Sequence, residues 1–177
     1  MKIFRNFDAN YLKSVDSNDL ISSITELKCG NRQIRKQMNC LKDNIITLEK
    51  IVSDYGSLDN YYNSTDTYTI LTSLSSGKYK IKFMGLALVS EYLKGMGVDI
   101  VKPDVHVCRI LGRLGYTKNN PGKAKEAMAV CHDIAKEYGM FDVEVDSILW
   151  QFCANGYFQQ CTNKPNCKNC LVKHCKK

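Results

Sequence analysis

The sequence predicts an all-α fold of six to eight short helices, and three observations carry that prediction. Apolar residues recur at intervals of three and four through most of the 177-residue chain, the spacing that gathers them on one face of a helix. No segment sustains apolar/polar alternation with β-branched enrichment, and no two such segments are joined by a hairpin turn. Glycines stand just past the ends of the periodic stretches, where helices stop.

In chain order, Asp19 to Lys28 reads as a helix ended by Gly30. In 32–53, Ile34, Met38, Leu41, Ile45, Leu48 and Val52 form a single apolar stripe, with Gly56 as the stop signal. A short helix spans Tyr68 to Leu74 and closes at Ser75, Ser76 and Gly77. Leu86, Val89 and Leu93 fit one face of the next, which Gly95 and Gly97 end. Asp104 precedes Val107, Ile110, Leu111 and Leu114 and takes the N-cap position, where a side-chain oxygen accepts the free amides of the first turn. His106, Arg109 and Arg113 are expected to face away from that apolar stripe. After a turn at Lys118 to Pro121, a helix runs from Gly122 to Tyr138 and stops at Gly139. The last, Asp142 to Ala154, is expected to bury Val145, Ile148, Leu149 and Phe152.

Composition narrows the function classes. With 44% hydrophobic residues and only three Pro, the chain is neither disordered nor collagen-like, and nine Cys are too few for a disulfide-built scaffold. No run approaches the ~20 apolar residues of a membrane helix, and the first twenty residues lack the apolar stretch of a signal peptide. A soluble protein in a reducing, cytoplasmic setting is expected. The net charge of +7 is segregated: 78–123 carries nine basic and three acidic residues, and 156–177 carries five Lys and no acid. Clustered cations are what a polyanion-binding face requires, since neutralising each phosphate releases counterions.

Cys161, Cys167, Cys170 and Cys175 crowd into the end of the chain, beside Pro165 and Asn166. Thiolates at these gaps, around a Cys-x-x-Cys, can converge on one metal centre, and spacing alone suits zinc and a [4Fe–4S] cluster equally. The segment is too poor in apolar residues to fold unaided, so metal binding would supply its ordering energy. Cys29, Cys40, Cys108, Cys131 and Cys153 read as buried small apolar residues. Upstream, Ile81-Lys82-Phe83-Met84-Gly85-Leu86-Ala87 joins two helices through a tight turn, with Lys78, Lys80 and Lys82 before Gly85. If Gly85 opens the second helix, the unpaired amides of its first turn form a phosphate site.

The order of these features, a helix-hairpin-helix at 81–93, Lys102-Pro103-Asp104-Val105-His106-Val107 opening a helix, Trp150 before the final loop and four terminal Cys, resembles the helix-hairpin-helix superfamily of base-excision DNA glycosylases. The similarity covers 81–175 and is to the iron–sulfur branch typified by endonuclease III and the adenine glycosylases. It implies a compact glycosylase fold over 1–155 and an iron–sulfur loop over 156–177. Asp104 takes the family's catalytic acid position, in a Pro-Asp-Val-His variant of Val-Asp-Thr-His. Lys80, Lys82, Phe83, Met84, Gly85 and Ala87 take the DNA-gripping hairpin. Cys161, Cys167, Cys170 and Cys175 take the cluster positions, which favours [4Fe–4S] over zinc. Gln37 is a candidate for the residue beside a flipped base, against the plainer reading of an exposed helix residue. The partner implied is double-stranded DNA, with the enzyme a monomer.

Three departures shape the expectation. Bifunctional members carry a nucleophilic Lys two residues after the last hairpin Gly; Ala87 stands there, so a water-using, monofunctional enzyme is implied. Phe83 occupies a position where the family usually has Gly. The cysteine gaps are five, two and four, tighter than the six, two and five of endonuclease III. Two other readings remain: a bifunctional glycosylase/lyase, and a non-catalytic DNA-binding module.

Overall fold

Short polar side chains set where the helices of this protein begin. In the computed structural model, which describes residues 2–172 and 175–176, the side chains of Asp8, Asp16, Ser57, Asp66 and Asp104 each accept a backbone N–H from the first turn that follows. Each satisfies a donor that has no partner inside the helix. Nine α-helices result among the described residues: α1 (Ala9–Ser14), α2 (Ser17–Glu26), α3 (Ile34–Tyr55), α4 (Leu58–Tyr62), α5 (Thr67–Ser75), α6 (Leu86–Gly95), α7 (Val105–Leu114), α8 (Ala124–Tyr138) and α9 (Asp142–Cys153). One-turn 3-10 helices lie at Arg5–Phe7 and Cys167–Asn169, and the described residues contain no strand. The fold is all-α, as expected, and none of these helices is long and apolar enough to cross a membrane. The helices without a sequence signal are α1 and α4, six and five residues long, too short to display a period.

The chain divides into two compact units, Met1–Gly85 and Leu86–Lys177. In the first, α3 packs against α1, α2 and α4, burying Leu12, Leu20, Ile21, Ile24, Ile51 and Tyr61, and the buried residues of the unit include Ile70, Leu71, Leu74, Tyr79 and Ile81. The rings of Tyr55, Tyr61 and Tyr79 meet edge to face, with centroids 5.0 to 6.1 Å apart, an arrangement that matches ring edge to ring face. The α3 stripe is less buried than its pattern implies. Ile51 is fully enclosed, whereas Val52 is exposed, because 22 residues outrun partners of six, ten and five.

Asp54 anchors this unit from the side. It accepts hydrogen bonds from the Tyr79 hydroxyl and from Lys78 Nζ at 3.0 Å, and these bonds, Tyr79 first, hold its carboxyl below the ordinary carboxylate value. A depressed acid stabilises the fold above its unfolded pKa, and that contribution disappears as pH falls through the folded value. Asp54→Asn is therefore expected to lower stability at pH 7, with the difference from wild type vanishing below the ordinary carboxylate range. Urea unfolding midpoints across pH check it.

In the second unit α7 packs against α8 and α9, and α8 against α9, around Val107, Ile110, Leu111, Met128, Cys131 and Val145. Gly115 and Gly139 close α7 and α8 with φ of 81° and 66°, a left-handed turn that costs other residues about 1–2 kcal/mol. Several burial expectations are corrected. Ile148 is 58% exposed, and the buried face of α9 instead carries Asp142, Val145, Asp146 and Cys153. Arg109 is buried rather than turned outward, and Cys29 is exposed while Cys40 is half-buried. The last two follow from position, since Cys29 lies in the loop after α2 and Cys40 on the incompletely covered α3.

Candidate functional site

The hairpin segment is built from backbone outward. After α5, Tyr79 N–H donates to the Ser73 carbonyl and Ile81 N–H to that of Leu74, and Met84 N–H donates to Ile81 O, closing a tight turn. Asn44 of α3 fixes the turn from one side: its amide accepts the Lys82 N–H at 2.7 Å and donates to Lys82 O at 3.1 Å. Lys82 Nζ pairs with Asp43 at 2.6 Å, and Lys80 Nζ folds back onto Met84 O. Phe83 sits at φ 63°, in the left-handed region, with its ring partly exposed. Glycine adopts that conformation without the steric cost a Cβ brings. A Cβ built on Gly85 meets nothing within 4 Å, so internal packing does not require glycine at this position. Gly85 ends the first unit, and α6 starts at Leu86, with Ala87 in its first turn.

Asp104 belongs to the second unit. Its Oδ1 accepts from His106 N at 2.8 Å and Val107 N at 3.2 Å, fixing the carboxylate at the start of α7. Its Oδ2 lies 4.0 Å from Lys102 Nζ, which also pairs with Glu91 at 3.2 Å. Lys102, Lys94, Glu91, Asp146, Trp150 and Tyr157 line an adjoining cavity of about 270 Å³. Lys94 and Asp146 form a sheltered ion pair at 2.5 Å in its wall. Burial pushes the Asp146 carboxyl up, Lys94 and a backbone hydrogen bond from Lys102 oppose this, and the neighbouring Asp104 charge adds to the rise. The aromatic side is continuous: the His106 ring meets Trp150 edge-on at 6.1 Å, and Trp150 meets Tyr157 at 4.9 Å.

The terminal cysteines are tied to α7 through Arg113. Its guanidinium donates to Cys161 O, to Cys161 Sγ at 3.2 Å and to Thr162 O at 2.8 Å, while Cys175 Sγ donates to Arg113 O at 3.2 Å. The Cys175 thiol is pushed up by partial desolvation and then by Cys161, Cys167 and Cys170, with Arg113 opposing, so those three thiols lie within electrostatic reach of Cys175. Cys153, fully buried beside Cys161, is pushed up to about 12, chiefly by burial. It is held as a neutral thiol. Among the described residues no group of three or more His, Cys, Asp or Glu has metal-coordinating geometry.

Gln37 sits on α3 in the first unit, partly exposed, and accepts a long hydrogen bond from Asn31 at 3.4 Å. The clamp by Arg113, the support from Asn44 and the Lys94–Asp146 pair carry no motif. One sequence signal did exist, since Asp142 and Asp146 are one turn apart on the face that Val145 assigns to the core. No family model, curated protein or solved structure matches the chain.

Proposed function

We propose that this protein is a DNA glycosylase that hydrolyses the N-glycosidic bond of a damaged, deaminated or mispaired base, in the monofunctional manner. The observation that carries this reading is Asp104. One of its oxygens is committed to the amides of α7, and the other lies 4.0 Å from Lys102 Nζ, a residue that lines the cavity. Breaking an N-glycosidic bond builds oxocarbenium character on the sugar, and a fixed carboxylate stabilises that charge and can orient the attacking water. Because α7 holds the group in place before substrate arrives, little reorganisation is needed during reaction. The target bond is inaccessible in a stacked duplex, so the base must be extruded. Gln37 remains a candidate for filling the space it leaves.

DNA is gripped by Lys80 to Gly85 and the first turn of α6, with Ala87 in place of a nucleophilic lysine. The open space above Gly85 supports close approach of a phosphate to backbone. Lys82 must exchange Asp43 for phosphate, a small cost for an exposed pair. Lys82→Ala is expected to reduce the slope of log affinity against log salt by about one, measured by fluorescence anisotropy at several salt concentrations. At the turn, Phe83→Gly is expected to leave stability within about 1 kcal/mol, because relief of the left-handed strain is offset by glycine's entropy. It should also tighten duplex binding severalfold by removing a ring from the contact.

The thiols of Cys161, Cys167, Cys170 and Cys175 fit a [4Fe–4S] centre, zinc being the other metal their chemistry allows. Support comes from the electrostatic reach of Cys161, Cys167 and Cys170 to Cys175 and from Arg113, whose charge and N–H groups favour anionic sulfur. When bound, the metal would supply the ordering energy of a loop that presents Lys164 and Lys168 to solvent. The test of the whole reading is release of a free base from synthetic duplexes carrying uracil, a thymine mismatch, an oxidised pyrimidine, an alkylated purine or adenine opposite oxidised guanine. Release from one of them is expected.

A further inference from the structure

We infer that Cys153 and Cys161 are a dithiol that a hydroperoxide closes to an intramolecular disulfide, withdrawing Cys161 from metal binding until a thiol reductant reopens it. The disulfide itself rests on no functional reading; only its consequence rests on the proposal that Cys161 is a metal ligand.

Two observations carry it. The first is contact. Past the end of α9 the chain reverses through left-handed residues at Gly156 and Gln159, with φ of 86° and 54°, and the Phe152 carbonyl accepts the N–H groups of Gln160 at 3.0 Å and Cys161 at 3.1 Å. A hydrogen bond from Cys161 to the residue preceding Cys153 holds the two backbones at about the separation a disulfide spans, α-carbons ~4.4–6.8 Å apart. Both are free thiols, and their side chains hydrogen-bond one another. The second is the setting of each sulfur. Arg113 Nη1 donates to Cys161 Sγ at 3.2 Å, and a cationic donor at sulfur is the environment in which thiols react with peroxide. Cys161 keeps 9% of its surface and Cys153 none, so a molecule as small as hydrogen peroxide meets Cys161 first, with Cys153 behind it as the resolving thiol. In the chemistry that follows, the Cys161 thiolate attacks a peroxide oxygen, the O–O bond breaks, hydroxide leaves, and Cys161 becomes a sulfenic acid. The Cys153 sulfur then attacks the Cys161 sulfur; the S–O bond breaks, the S–S bond forms, and the hydroxyl departs with the Cys153 proton as water. The two thiols together give two electrons to one peroxide. Without Cys153 the sulfenic acid is oxidised onward to a sulfinic acid, which thiol reductants do not reverse. In a reducing setting the disulfide is transient, which suits control over metal loading rather than a structural cross-link.

The full-length protein is stripped of metal with EDTA and bipyridyl under argon, exposed to hydrogen peroxide and alkylated in denaturant. It is then cut with chymotrypsin, which cleaves at Tyr157 and Phe158 between the two cysteines, and mapped by mass spectrometry. Loss of two alkylatable thiols is expected, with the peptides carrying Cys153 and Cys161 joined. After dithiothreitol, wild-type protein should regain its full uptake of zinc, whereas Cys153→Ala should regain about fivefold less, with Cys161 found as sulfinic acid. Cys131→Ala, at another buried thiol of the same unit, is the matched control and should behave as wild type. Should Cys153→Ala fail to fold, the wild-type map alone decides. Cys153 left fully alkylatable after peroxide, or joined to a cysteine other than Cys161, would overturn the proposal, as would full recovery of zinc uptake by a folded Cys153→Ala. The two readings fail separately. If the disulfide forms but the reduced protein takes up no metal, the dithiol stands without the metal site. If metal binds and peroxide joins other cysteines, the metal site stands without the dithiol.

Discussion

Asp104→Asn is expected to reduce base release by a factor of about 10² to 10⁴, the range for removing a preorganised electrostatic or acid–base group, while duplex binding stays nearly unchanged. Asparagine is the informative substitution because it keeps an Oδ1 that can accept the His106 and Val107 amides. It therefore preserves the cap, and asparagine caps helices about as well as aspartate. What it removes is the negative charge beside Lys102. Asp104→Ala would remove both, adding about 1 kcal/mol of lost stability, so comparing the two by thermal melting and by release rate separates the structural role from the chemical one. If Asp104 serves only as a cap, the asparagine variant releases base at the wild-type rate.

The second large effect is expected at the cysteine loop. Cys170→Ser should lose stoichiometric metal and leave 156–177 open to proteolysis, because apparent binding energies of structural metal sites in small peptides, about 10–16 kcal/mol for zinc, exceed anything else available to a loop with so few buried side chains. Duplex affinity should fall about tenfold, since the loop carrying the exposed Lys164 and Lys168 is then no longer ordered. Cys29→Ser is the matched control: its thiol is exposed in the loop after α2, and metal content should not change. Wild-type protein purified anaerobically should be brown, with about four iron and four sulfide per chain. Stoichiometric zinc in a colourless protein would overturn the cluster.

Helix identity was legible in the sequence wherever a period had room to repeat. The segments that became α2, α3, α5, α6, α7, α8 and α9 were read from periodic apolar residues, and Gly56 and Gly139 closed α3 and α8 where they stood in the pattern. Periodicity says which residues share a face but not how much of that face finds a partner, which is why the outer part of the α3 stripe is exposed. In α9 it failed differently. Ile148 was assigned to the core and Asp146 to nothing, yet Lys94 makes Asp146 tolerable inside and its burial turns Ile148 outward. A partner fifty residues away leaves no local trace. The N-cap of α7 was legible because capping depends on adjacent residues alone, whereas Asn44 and Arg113 act across distances that only the fold closes.

The central claim is that Asp104 catalyses hydrolysis of an N-glycosidic bond, and its most direct test is single-turnover release of free base from the five duplexes named above, run with wild type and Asp104→Asn side by side. The account predicts that wild-type protein releases base from at least one duplex, and that the asparagine variant binds that duplex but releases at least a hundredfold more slowly. Tight binding of duplexes by wild-type protein with no base released from any of them would contradict it, leaving a DNA-binding module.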